Sequence, residues 1–184
     1  MCASSCSASA PPAEADKQLQ SLGWAGAGSR VSYAQVDLGS SEMAYTALLE
    51  ALRSNLAAGG AAGGEVGGAS AASPLSLAAV LHLAGSYERA PLESLSAAAL
   101  HAAVRAKTTG AVHLHRACAA LGAKPAFLLF GSTASIFGGA GLGGYSASNA
   151  FLEWFASWQR QLGGVRSRAL VWTAWGEGIS RRDK

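Results

Sequence analysis

Residues 126–151 read AFLLFGSTASIFGGAGLGGYSASNAF. The first five are wholly apolar, the pattern of a strand buried in a parallel sheet covered on both faces. A loop follows that carries glycines at 131, 138, 139, 141, 143 and 144. The spacing then turns helical. Tyr145 opens a helix predicted to reach residue 162, with Phe151, Leu152, Phe155 and Trp158 on its apolar side and Gly163 and Gly164 closing it. Strand, Gly-rich turn and helix in this order form the repeating unit of a parallel α/β sheet.

The same alternation extends outward. Downstream, residues 168–175 (RALVWTAW) read as a final strand. Upstream, residues 77–84 form an apolar strand ended by Gly85, a helix runs from near Ser96 through Val104, and a second helical segment covers 110–121 and stops at Gly122. Residues 30–38 (RVSYAQVDL) alternate apolar and polar and read as a strand. Residues 40–56 follow with helical spacing at Met43, Leu48, Leu49, Leu52 and Leu56, and residues 16–22 read as the end of a helix closed by Gly23. The expected fold is α/β: a doubly wound, Rossmann-like parallel sheet with right-handed crossovers and helices on both faces. Ser132, Gly85 and the residues after Trp175 fall just past strand ends, on the carboxyl rim where such sheets carry their sites. Residues 57–73 (AAGGAAGGEVGGASAAS) read as a flexible Gly/Ala insert. Residues 1–15 read as a disordered tail and 180–184 as a short terminal one, which leaves a domain over 16–179.

A chain of 184 residues, half of them hydrophobic, is long enough for one domain with a real core. Its net charge of +3 is mild and its basic residues are scattered apart from Arg181, Arg182 and Lys184, which argues against nucleic acid as a partner. Residues 125–152 carry no charge, but their glycines and hydroxyls make poor material for a membrane-spanning helix. Cys2, Cys6 and Cys118 lack the spacing and partners of a disulfide framework or a metal site, so free thiols and no metal are expected. The N-terminal residues lack Arg and Lys, which favours a cytoplasmic protein and leaves an organelle address open.

Four polar residues suggest carbonyl reduction. As a hydride reaches a carbonyl carbon, the oxygen gains charge that one donor must stabilise and another must protonate. Tyr145 is the candidate acid. A free phenol has a pKa near 10, and a neighbouring ammonium lowers it by favouring the phenolate; Lys107 is the candidate. Ser132 would hold the substrate oxygen. Asn149, four residues after Tyr145 on the same helical face, would anchor a water or a backbone carbonyl in a proton relay. Taken singly, each has a structural alternative: turn residue, core ring, solvated charge or cap.

The segments LHLAG (81–85), RAKTTGAVHLH (105–115), FLLFGSTASIFGGAGLGGYSASNAFLEWFA (127–156) and LVWTAWGEGI (170–179) resemble the ketoreductase domain of modular polyketide synthases and fatty-acid synthases, a branch of the short-chain dehydrogenase/reductases. The resemblance is strong over 77–179 and weaker over 29–56. Most short-chain reductases carry Tyr-x-x-x-Lys, whereas this chain has Tyr-x-x-x-Asn with the lysine at 107, an exchange similar to that of the megasynthase ketoreductases. The resemblance implies catalytic roles for Ser132, Tyr145, Asn149 and Lys107, and contacts to NADPH from Asp37, Ala84 and Gly85. It implies reduction of a β-ketoacyl thioester on an acyl carrier protein, with other megasynthase domains as partners and neither nucleic acid nor membrane.

Three features depart from the family pattern. The fingerprint T-G-G-x-G-x-(L/I)-G is absent, and Gly23, Gly26 and Gly28 precede a strand, so they read as a loop. The expected fold therefore lacks the first βαβ unit and the last strand, with an incomplete lid. Ser-Tyr-Glu-Arg follows Gly85 where a Leu-Asp-Asp marker of product stereochemistry would lie, and Phe137 stands near the place of a Trp marker. Two functional classes remain at this point: a β-ketoacyl reductase or part of one, and a non-catalytic reductase-like module. A reductase of free small molecules fits the Lys107–Asn149 arrangement less well.

Overall fold

The computed structural model describes residues 17, 21, 34–61, 77–161 and 163–173. The order is α1 (Glu42–Ala61), β1 (Ala79–His82), a 3-10 turn (Leu92–Ser94), α2 (Ala97–Ala120), β2 (Ala126–Ser132), the one-turn α3 (Ala134–Phe137), α4 (Gly143–Gln161) and β3 (Ser167–Trp172). The strands form a parallel sheet in the order β1-β2-β3. β2 is central, with Leu129 beside His82 on one side and Ala169 on the other. This is the Rossmann-like α/β arrangement.

Alternation along β2 sends Phe127 and Leu129 to one face, where they are buried with Ala111 and Cys118 of α2 and Leu152, Phe155 and Ala156 of α4. An aromatic row reinforces this layer: Phe155 stacks on Phe151 at 5.4 Å and on Trp158 at 5.3 Å. The buried Ser167 hydroxyl donates to Gln159 at 2.8 Å, joining β3 to α4 inside the core. On the opposite face Phe130 stacks on Trp172.

Several boundaries differ from the sequence reading. Residues 34–38, the described part of the expected strand over 30–38, belong to no strand. A strand needs a ladder partner, and this segment runs along α2 instead: Leu38 O lies 2.9 Å from His113 Nδ1. The two helical segments expected over 96–104 and 110–121 are one helix, Ala97–Ala120, capped by the Ser96 hydroxyl, which accepts from Ala99 N at 3.1 Å. Gly110 does not break it. A Cβ there would lie 3.2 Å from His82 Cε1 and 3.3 Å from Leu38 Cβ, so the glycine admits close packing inside the helix. α1 continues to Ala61, through Gly59 and Gly60, into the stretch expected to be a flexible insert. The remainder of that stretch, the tails over 1–15 and 180–184, all of 16–22 but the helical 17 and 21, and the end of the last expected strand lie outside the described residues. No described helix is long and apolar enough to cross a membrane, and no cluster of metal-ligating side chains occurs among the described residues.

Candidate active site

The carboxyl end of β2, residues 130–132, carries Ser132 and receives Lys107 and Asn149. Lys107 comes from the middle of α2. Only 5% exposed, it donates from Nζ to Phe130 O at 2.7 Å. Burial pushes its ammonium from 10.5 down to about 8, so it remains cationic at neutral pH. Gly85, just past β1, makes room for it: a Cβ at Gly85 would lie 2.9 Å from Lys107 Cε.

Asn149 arrives from α4. It is fully buried, its Nδ2 donates to Tyr145 O at 2.7 Å, and a Cβ built at Gly131 would stand 4.0 Å from its Oδ1. Ser132 is the next residue. Its Oγ accepts from Ala134 N at 3.2 Å, which leaves the hydroxyl proton to donate to a ligand.

Tyr145 stands one turn before Asn149 in the first turn of α4. Gly144 brings that turn against α2, since a Cβ there would lie 3.2 Å from Ala103 Cβ. Ala103 and Lys107 are one turn apart on the same face of α2, so the first turn of α4 packs one turn of α2 before the lysine. The loop before α4 is tied to the segment after β1: Ala90 N donates to Gly141 O at 3.0 Å, and Gly141 has φ 70°. Gly143 and Gly144, expected in the loop, are the first residues of α4.

Asp37 is on the other side of α2. Its carboxylate accepts from Gly39 N at 3.2 Å and pairs with Arg105 at 3.1 Å. Ala84 and Gly85 lie half-buried in the irregular segment after β1. Capacity for a ligand is left on the rim: Lys107 spends one of its three N–H groups on Phe130 O, and the buried Asn149 Oδ1 has no partner. A cofactor bearing hydroxyl and amide groups fits these two residues better than it fits Asp37.

Sequence reasoning missed three contributors. His82 donates from Nε2 to Lys107 O at 3.1 Å, and burial pushes its pKa from 6.5 down to about 4, so it is neutral. Tyr87 meets Tyr145 edge-to-face at 5.1 Å. Glu153, one turn beyond Asn149, touches Ser135. A histidine inside an apolar strand, and a carboxylate continuing the Tyr145–Asn149 row, were the signals available.

The sheet and its rim define a short-chain dehydrogenase/reductase fold. A short-chain dehydrogenase from Bacillus anthracis superposes with a TM-score of 0.63 at 14% identity, over 86% of this chain and 61% of that one. The profile of the KR domain matches residues 65–177, and the chain belongs to that family. The match begins inside the stretch read as an insert.

Among curated relatives, the pikromycin polyketide synthase component PikAII of Streptomyces venezuelae is 44% identical over 112 residues, 59% of this chain and 3% of the relative. Erythronolide synthase EryA3 of Saccharopolyspora erythraea is 36% identical over 106 residues, 58% of this chain and 3% of the relative. A solved A-type ketoreductase from a modular polyketide synthase has a TM-score of 0.63 at 36% identity, covering 91% of this chain and 30% of its own. This chain thus spans a few per cent of the curated synthases and about a third of the solved ketoreductase.

Proposed function

We propose that this chain is part of a β-ketoacyl reductase of a polyketide or fatty-acid synthase, which uses NADPH to reduce a β-ketoacyl thioester on an acyl carrier protein to the β-hydroxyacyl product. The observation that carries the reading is the meeting at β2. Lys107 from α2 and Asn149 from α4 abut residues 130 and 131, Ser132 follows, and Tyr145 lies one turn before Asn149.

The chemistry supplied by bound NADPH is a hydride to the carbonyl carbon. Lys107, Asn149, Ala84 and Gly85 would line its place, with Asp37 reaching it only by sharing its pair with Arg105. Ser132 Oγ–H donates to the substrate oxygen and fixes it. As that oxygen gains charge, the Tyr145 hydroxyl gives up its proton to it, forming the alcohol. The Lys107 ammonium stabilises the resulting phenolate. Asn149, anchored through Nδ2 on Tyr145 O, keeps its Oδ1 for a water that returns the proton.

The test is Tyr145→Phe in the full-length protein that carries this sequence, assayed by NADPH oxidation with a simple β-keto thioester. Reduction is expected to fall by about 10²- to 10⁴-fold, the usual contribution of a positioned general acid. Full retained activity overturns the assignment.

A further inference from the structure

We propose that Glu153, acting through Ser135, is a positioning residue that fixes Ser132 relative to Tyr145; its catalytic consequence rests on the ketoreductase reading above. β2 ends at Ser132 and the chain turns at once into the one-turn α3. Its backbone bonds are mostly local, from Ile136 N and Phe137 N to Thr133 O, and Ile136 and Phe137 are 65% and 81% exposed. Thr133 N donates to Trp172 O at 2.8 Å, which ties the turn to β3 but not to the helix that carries Tyr145.

The turn lies against α4, and the hydrogen bond between the two runs through Ser135. Its hydroxyl lies 2.7 Å from Ser132 O and in hydrogen-bond contact with Glu153 Oε1, so one proton is shared between the two acceptors. Tyr145, Asn149 and Glu153 recur at four-residue intervals along one face of α4. Asn149 meets β2 at Gly131, and Glu153 meets it through Ser135 at Ser132. Two adjacent strand residues are thereby referred to one helix face. The second tie sets where the Ser132 hydroxyl stands relative to the phenol.

The test uses Ser135→Ala, Glu153→Ala, the double variant and Glu153→Gln in the full-length protein, read by steady-state kinetics and by amide hydrogen exchange over residues 132–137. Each single alanine variant is expected to lower kcat about tenfold with the KM for NADPH unchanged, since small misplacements of a positioning group cost rate rather than cofactor binding. The double variant should be no slower than either single one, because the pair acts as a unit. Exchange at Ala134 and Ile136 should quicken about tenfold in both singles. Glu153→Gln keeps an acceptor for Ser135 and should recover most of the loss.

Unchanged exchange in Ser135→Ala overturns the tie. Faster exchange with unchanged kcat, or single effects that multiply in the double variant, overturns its role in positioning. Tyr145→Phe in the same preparation separates the two readings: if that variant is fully active, the ketoreductase assignment fails, while the exchange result still decides the clamp.

Discussion

Replacing Lys107 by methionine separates the stability of this fold from its chemistry. Burial pushes the ammonium from 10.5 to about 8 with desolvation as the cause, a difference worth about 3 kcal/mol at about 1.4 kcal/mol per unit. The folded-state value lies below the unfolded one. Below pH 8 both states are protonated and the folded state carries the whole penalty. Between pH 8 and 10.5 only the unfolded chain holds the proton, so stability rises with pH, and it levels off above that window. Cys118 acts in the opposite sense: burial raises its thiol from 9.0 to about 11, so its contribution is lost as pH rises from 9 to 11. Both proteins contain Cys118, and comparing them cancels it. The wild type should gain about 2 kcal/mol on Lys107→Met between about pH 7 and about pH 9.5, read by urea unfolding followed by circular dichroism at both pH values. At neutral pH the variant escapes the desolvation penalty and loses the charged bond to Phe130 O, worth about 1.5–3 kcal/mol, so the two proteins should be close in stability. If the difference between them stays constant with pH, Lys107 titrates as an exposed amine and the buried seat at Phe130 is refuted.

Three further outcomes follow from the same corner. His82 has a folded-state pKa of about 4 against 6.5 unfolded, so stability should fall as pH drops through that window, by about 2 kcal/mol between pH 7 and pH 5; His82→Gln should flatten this limb in acid-dependent unfolding, and an unchanged slope would remove His82 from its buried place. Gly85→Ala puts a Cβ 2.9 Å from Lys107 Cε; it should destabilise by about 1–3 kcal/mol and abolish the alkaline rise in stability as Lys107→Met does, whereas a wild-type pH profile would show that the lysine does not pass there. The rate of ketoreduction should decline as pH rises through about 8, where Lys107 loses its charge; a rate that is flat through this region in a pH profile of kcat would detach the ammonium from the phenol.

Much of this was legible because burial periodicity is local. The apolar run over 126–130 and the spacing of Leu152 and Phe155 fix a strand and a helix without reference to anything distant. What failed depended on partners. The alternation over 30–38 describes a face, and whether a ladder forms beside it is decided by α2, which takes Leu38 O through His113. Gly110 resembles a helix boundary on propensity alone, but it is an interior contact with His82, 28 residues away in sequence. The four catalytic candidates were legible as a set of residue types. That Lys107 and Asn149 touch consecutive residues of β2 was not, nor was the Glu153–Ser135 bridge, because each joins elements that sequence order leaves far apart.

The residues that look wrong locally explain one another. A histidine in an apolar strand is buried with its Nδ1 lacking a partner, a glycine lies buried inside a helix, and a lysine is buried on the same helix. Each lowers stability on its own: an unsatisfied acceptor by about 1–3 kcal/mol, the glycine by about 1 kcal/mol against alanine, and the cation by its desolvation. Yet the three are in direct contact. The missing Cβ at 110 admits the His82 ring, that ring takes Lys107 O, and the same residue's side chain passes the missing Cβ at 85 to reach Phe130 O. Hydrophobic residues in place of His82 and Lys107 would remove the unsatisfied acceptor and the buried charge, so stability does not account for the set. Delivering an ammonium to the carboxyl end of β2 does account for it. Local costs of this kind are expected to gather where a fold carries chemistry rather than where it only packs. Substituting any one of the three is therefore expected to cost less in folding, read by urea unfolding, than in the rate of ketoreduction, and the reverse order would detach the corner from catalysis.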